Sequence, residues 1–299
     1  MTRASAIIGS AAGGWLALGL VLGAAPSAMA QSVEPGPAAE ASRPSLVDNL
    51  ERALRNAISR GGAPAETTGT MPLAARAEGS AARGPVVVEM FTSQGCSSCP
   101  PADEMFNRFA QRPDVIALAL HVDYWDYLGW EDPFAQPAFT GRQKAYARAA
   151  GSRSIFTPQI IVEGAVSLVG GDEAALDALV AQQKALPAAV SLTVSGGKGQ
   201  YAIELHADPP LPRGAVVQIV RYMPQARVEI LRGENAGLVV DYSNVVTAWH
   251  AVADWDGVTP TRFNTRIDGD EPAVVIIQGT LPGKAAALPG PILAAAHLN

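Results

Sequence analysis

Apolar and polar positions change rhythm twice along the chain. Before about residue 84 only two ordered patterns stand out. Residues 4–24 form an apolar stretch rich in Leu, Ala and Gly, and Leu46, Leu50, Ala53, Leu54, Ala57 and Ile58 lie at helical spacing before Gly61-Gly62. From residue 85, short apolar runs alternate with helical stripes. Residues 85–91 predict a buried strand, residues 101–111 a helix with Met105, Phe106 and Phe109 on one face, and residues 115–122 a second buried strand, together a β-α-β unit. A polar helix over 137–149 follows, then strands at 160–162 and 165–169 around a Glu163-Gly164 turn, then a helix over 173–185 that Asp172 caps.

After Leu186-Pro187 the rhythm becomes period two, with turn signals between short runs: 190–194, the Gly196-Gly197 turn, 201–205, 216–221 and 273–277. Strands of this kind predict a small all-β, sandwich-like domain at 188–299. The expected architecture is therefore an α/β domain at 85–187 followed by this β domain.

The N-terminus adds an address. Arg3, the apolar stretch and Ala28-Met29-Ala30 read as a secretory signal over 1–30, cleaved after Ala30. The mature chain is expected in the periplasm or outside the cell, with no stable membrane span after cleavage. Residues 31–84, loaded with Ala, Pro, Gly and Ser, read as a linker carrying a short amphipathic helix at 45–60. The chain has 299 residues, 48% hydrophobic and 17% charged, enough for more than one packed core. A net charge of −6 without any basic run gives no footprint for nucleic acid as a partner.

Composition then sharpens the chemistry. An exported chain sits where disulfides persist, yet this one holds two cysteines, Cys96 and Cys99, which is too few for a stapled scaffold. The pair lies at a strand-to-helix turn, where free N–H groups and partial positive charge favour a thiolate. Cys96 is the expected nucleophile on a disulfide of another protein, and Cys99 the thiol that resolves the mixed disulfide. Pro100-Pro101 argues for a helix that starts later than the pair, which weakens the dipole effect. A structural disulfide, a metal site and an inactive relic are the competing readings. The first would be a poor staple over so short a loop, and the second lacks ligands beyond His121. No cofactor and no metal are expected.

Cys96-Ser97-Ser98-Cys99 after an apolar strand, with Thr157-Pro158 before another, resembles the thioredoxin-like superfamily. The strings Val88-Glu89-Met90-Phe91-Thr92-Ser93-Gln94-Gly95-Cys96-Ser97-Ser98-Cys99-Pro100-Pro101-Ala102-Asp103 and His121-Val122-Asp123-Tyr124-Trp125-Asp126 are similar to an exported bacterial family catalogued as domain of unknown function 1223. The resemblance implies a thioredoxin-like fold for 85–187 and a redox-active pair. It also implies a cis Pro158 facing that pair, with Thr157 receiving substrate backbone, and a buried acid behind it. Glu89 is the nearest candidate for that acid, one residue further from the first cysteine than usual. A strand residue facing solvent is its alternative.

Residues 123–132 combine Tyr124, Trp125, Tyr127 and Trp130 with Asp123, Asp126, Glu131 and Asp132. Three readings stay open: a substrate surface beside the cysteines through Tyr124, Trp125, Asp126 and Trp130, a cation or acid-base site with His121, and a tucked loop whose rings fill a seam. In the β domain Arg232-Gly233-Glu234-Asn235 reads as a polar turn, and Trp249, His250 and Trp255 as core filling. Taken together, the expectation is a periplasmic thiol-disulfide oxidoreductase that exchanges with thiols or disulfides of exported proteins and with an unidentified redox partner. The alternative is a non-catalytic module that binds protein or metal through the aromatic loop and the β domain.

Overall fold

In a computed structural model, residues 83–298 are described. The signal over 1–30, most of the linker and the helix at 45–60 lie outside the described residues.

Strand β1 (Val86–Thr92) is buried along its whole length, as its apolar run predicts, and leads through the cysteine turn into helix α1 (Pro100–Phe109). Strand β2 (Val115–His121) returns parallel to β1, in register from Val86–Val115 to Thr92–His121. After the aromatic loop come α2 (Pro137–Ala149), the hairpin β3 (Gln159–Val162) and β4 (Val166–Val169), and α3 (Glu173–Ala185). Asp172 caps α3, its Oδ1 accepting the amide of Ala175 at 2.9 Å. β5 (Ser191–Gly197), β6 (Gln200–His206) and β9 (Thr261–Arg266) form a three-stranded antiparallel sheet. The remaining strands are β7 (Ala215–Glu229), β8 (Val239–Trp255), β10 (Ala273–Leu281) and β11 (Leu288–Leu298).

These last four strands do not form a domain of their own. They join one mixed eight-stranded sheet in the order β11-β10-β7-β8-β2-β1-β3-β4. The join is the parallel contact of β8 with β2 at Ala119–Val245, where Asn244 Nδ2 also donates to the Ala117 carbonyl at 3.0 Å. The expected thioredoxin-like α/β domain followed by a separate sandwich-like β domain is therefore corrected. The described chain is mostly β, with three α-helices packed on a sheet that crosses Leu186-Pro187.

Side-chain parity gives the physical reason. Along β1 and β2, Val87, Phe91, Ile116, Leu118 and Leu120 point to one face, where they share a single core with Val220, Tyr222, Val246, Val274 and Ile276 and with Phe139 and Tyr146 of α2. Val86, Val88, Met90, Ala117 and Ala119 point the other way, under α1 and α3. The alternate residues of β7 and β10 (Val217, Ile219, Val275, Ile277) pack with Ile203 and Leu205 of the small sheet. With both faces buried, the β7–β8–β10–β11 strands need cover on two sides, and the three-stranded sheet supplies it on only one.

Candidate active site around the cysteine pair

Cys99 stands at the N-cap of α1. Its N–H donates to the Cys96 carbonyl at 3.2 Å, and its own carbonyl accepts the amides of Ala102 and Asp103, each at 2.9 Å. Pro100 occupies the first helical position, where a missing N–H would have no intrahelical partner anyway. The helix thus starts at the pair, and the proline pair does not delay it. Cys96 and Cys99 form a disulfide with a Cα–Cα distance of 5.4 Å. Cys96 retains 3% exposure and Cys99 none, while Ser97 and Ser98 between them are exposed. Any external sulfur therefore meets Cys96 first.

Three segments hold this turn. The Thr157-Pro158 peptide is cis, and the Thr157 carbonyl accepts a long contact from Ser98 Oγ at 3.5 Å. Pro158 is buried against α1 and the β4 end. A Cβ on Gly170 would lie 2.8 Å from Pro158 Cβ and 3.1 Å from Ala102 Cβ, so only glycine allows this approach. The aromatic loop folds inward: Trp125 Nε1 donates to Thr157 Oγ1 at 2.7 Å, and Trp130 Nε1 to Gln94 Oε1 at 2.8 Å. Asp126 Oδ1 accepts the amide of Asp132, Tyr124 packs on Trp125, and Tyr127 alone of the loop aromatics stands out, at 77% exposure. The third support comes from the β7–β8 connection. Asn235 is buried, and its Nδ2 donates to the carbonyls of Gln94 and Cys96 at 2.8 and 2.9 Å. The sequence offered only a polar turn there, and nothing local marks the residue as part of the site.

Beneath α1 lies a buried polar cluster. Asp103 Oδ1 accepts from Thr92 Oγ1 at 2.7 Å, and its Oδ2 is buried without a partner. Burial pushes the Asp103 carboxyl up to about 7, against the Thr92 hydrogen bond and the attraction of His121. Asp132 accepts the Gln94 amide at 2.9 Å, the Phe134 amide at 2.9 Å and His121 Nδ1 at 2.7 Å. Burial works to raise Asp132, but His121 and these bonds hold it below the ordinary carboxylate range. The Tyr242 ring of β8 stacks edge-on, 4.8 Å from His121, and burial raises its hydroxyl. Spacing alone could have found Asp103: four residues after Cys99, it shares that residue's helical face.

Glu89 lies elsewhere. It is buried, but its parity is that of Val87 and Phe91, so it points to the face away from α1. There it binds Arg142 Nε at 2.6 Å and Arg142 Nη2 at 3.0 Å, and accepts from Tyr146 at 2.6 Å, while the Arg142 guanidinium sits 3.7 Å from the centre of the Trp249 ring. It is neither a solvent-facing strand residue nor a neighbour of Cys99. Of the expected core fillers after Leu186, Trp255 is buried, Trp249 half-buried and His250 exposed. Among the described residues no group of three or more His, Cys, Asp or Glu is arranged to hold a metal ion, and no helix is long and apolar enough to cross a membrane.

A family model described as a protein of unknown function (DUF1223) matches residues 87–278. No curated protein matches the chain. Among solved structures, the crystal structure of protein AGR_C_4864 from Agrobacterium tumefaciens is 29% identical. It aligns over 72% of this chain and 94% of its own, with a TM-score of 0.60. HBP35 of Porphyromonas gingivalis aligns over 73% of this chain and 75% of its own at 15% identity, with a TM-score of 0.47.

Proposed function

The chain belongs to the DUF1223 family of proteins of unknown function, and from the geometry of its Cys-x-x-Cys turn we propose that it is an exported thiol-disulfide oxidoreductase acting on other proteins. The observation that carries the reading is the asymmetry of the pair: Cys96 keeps a sliver of exposure at a helix start, and Cys99 is sealed behind it. That is the arrangement exchange chemistry needs. The Cys96 thiolate attacks one sulfur of a partner disulfide, and the partner's other sulfur leaves. Cys99 then attacks Cys96 Sγ, forming the Cys96–Cys99 bond and releasing the partner as a dithiol. Run backwards, the same steps oxidise a partner. The secretory pattern at 1–30 supports work in the periplasm or outside the cell, with exported proteins as substrates and a second protein restoring the redox state of the pair. Thr157 and Trp125 border the turn and would meet the partner. A metal-binding module has less support, because three of the loop's four acids, Asp123, Asp126 and Asp132, are engaged by Thr140, by amides and by His121.

Variants test this directly. Cys96→Ala is expected to abolish reduction and oxidation of a test protein disulfide, and Cys99→Ala to accumulate partners linked covalently through Cys96. A wild-type chain that neither reduces nor oxidises any test disulfide, and a Cys99→Ala variant that traps nothing, would end the proposal.

A further inference from the structure

On the sheet face away from the cysteine pair, helix and strands differ too much in length to cover each other. The 13 residues of α2 span ~20 Å, whereas the 17 residues of β8 run ~55 Å. A cavity of about 380 Å³ opens where the helix cover runs out, between α2 and strands β7, β8, β10 and β11. Its walls are mostly apolar, with Phe139 and Ala145 from α2, Val216 from β7, Ala251 from β8 and Leu288 from β11. Size and lining are those of a small-molecule site. At ~30 Å³ per water the space equals roughly a dozen waters, or a ligand of about ten non-hydrogen atoms.

The polar groups at this cavity are held in place by one another. Gln278 Nε2 donates to Tyr146 Oη and to the Gly290 carbonyl, each at 2.9 Å, and its Oε1 accepts from Gln218 Nε2 and Arg142 Nη2, each at 3.1 Å. Trp249 Nε1 donates to Gln218 Oε1, and the Arg142 guanidinium lies over the Trp249 ring. Arg142 spends Nε and Nη2 on Glu89, Tyr146 and Gln278, so Nη1 is the donor left without a partner among the described residues. We propose that this cavity binds a small molecule with an apolar body and one neutral carbonyl group, such as an amide, whose oxygen accepts from Arg142 Nη1. Charge sets the class. Arg142 is the one charged residue among those lining the cavity, and Glu89 already balances it. A carboxylate would bring a second, unbalanced negative charge into a mainly apolar space, whereas a carbonyl oxygen meets the donor without that cost. The fixed network leaves little for the ligand to order on arrival.

The test is calorimetric titration of the full oxidised chain with octanamide and with octanoate at pH 8, two probes with the same apolar body. Octanamide is expected to bind at one site, and octanoate more weakly by on the order of 10-fold or more. Ala251 is exposed at the cavity, so Ala251→Phe obstructs it without entering the core and should abolish octanamide binding. His250→Phe, on the neighbouring exposed position of β8, should leave binding unchanged. In Glu89→Gln the Arg142 charge is no longer balanced, and the preference should reverse in favour of octanoate. Where that variant does not fold, the wild-type comparison of the two probes decides the ligand class. A wild type that takes up no octanamide, or an Ala251→Phe variant that binds it as wild type does, overturns the site. Octanoate binding to wild type as tightly as octanamide overturns the neutral class. None of these readouts involves the cysteines, so the outcome is independent of the exchange chemistry.

Discussion

Asn235 offers a direct test of whether the long β7–β8 hairpin supports the cysteine turn. Asn235→Ala removes one Nδ2 group that donates to two carbonyls, those of Gln94 and Cys96, at 2.8 and 2.9 Å. Both belong to a turn whose residues are almost wholly buried from Ser93 to Cys96, so water has little access to replace the lost donor. A buried acceptor left without its partner costs about 1–3 kcal/mol, and two that share one donor place the loss at roughly 2–4 kcal/mol. With a urea slope of about 3 kcal/mol/M for a chain of this size, the unfolding midpoint falls by about 1 M. The assay is urea unfolding of the oxidised protein followed by tryptophan fluorescence. Arg227→Ala is the control, because it removes an exposed ion pair with Asp241 on the same hairpin and should cost under about 1 kcal/mol. A midpoint for Asn235→Ala indistinguishable from that control would refute the claim that the hairpin holds the turn.

Two further outcomes follow from the buried charges. Glu89→Gln leaves the Arg142 guanidinium without its carboxylate and should cost roughly 3 kcal/mol or more in thermal unfolding, whereas Glu89→Leu combined with Arg142→Met should cost less than Glu89→Leu alone. Equal losses for the single and the double variant would show that the pair is not coupled. Asp103 has a folded value of about 7 against an ordinary 3.8, so the folded state holds its proton more tightly. Its contribution to stability is complete below 3.8 and is lost as pH rises towards 7. That gap bounds the effect at roughly 4 kcal/mol. Asp103→Asn has no such charge, so it should gain stability relative to wild type by a few kcal/mol between about pH 4 and about pH 8. A wild-type-minus-variant difference that is flat with pH would contradict the raised value.

Short-range pattern was enough for most elements before Leu186. The helices over 137–149 and 173–185 appear with the predicted bounds, and β1, β2 and β3 within a residue or so, because buried runs and helical stripes are properties of neighbouring residues. The first helix began one residue earlier than expected, since proline suits the first helical position. The cysteine pair, Thr157-Pro158 and the inward pull of Trp125 and Trp130 were visible as candidates. The direction of Glu89 was legible, since it shares the parity of Val87 and Phe91, whereas Thr92 and Asp103 face each other under α1.

What no local pattern carried is pairing at long range. The β2–β8 contact joins Ala119 to Val245, and only that contact turns two expected domains into one sheet. The 17-residue β8 was not predicted at all, because its bulged, half-exposed course breaks the alternation that marks a strand. By itself the sequence determined that a cysteine pair would sit between a buried strand and a helix, since that depends on residues within one β-α-β unit. Tertiary structure decided which groups surround the pair. Asn235 reaches the Cys96 carbonyl, and Tyr242 stacks against His121, only because hydrophobic faces far apart in the chain had to be buried against each other.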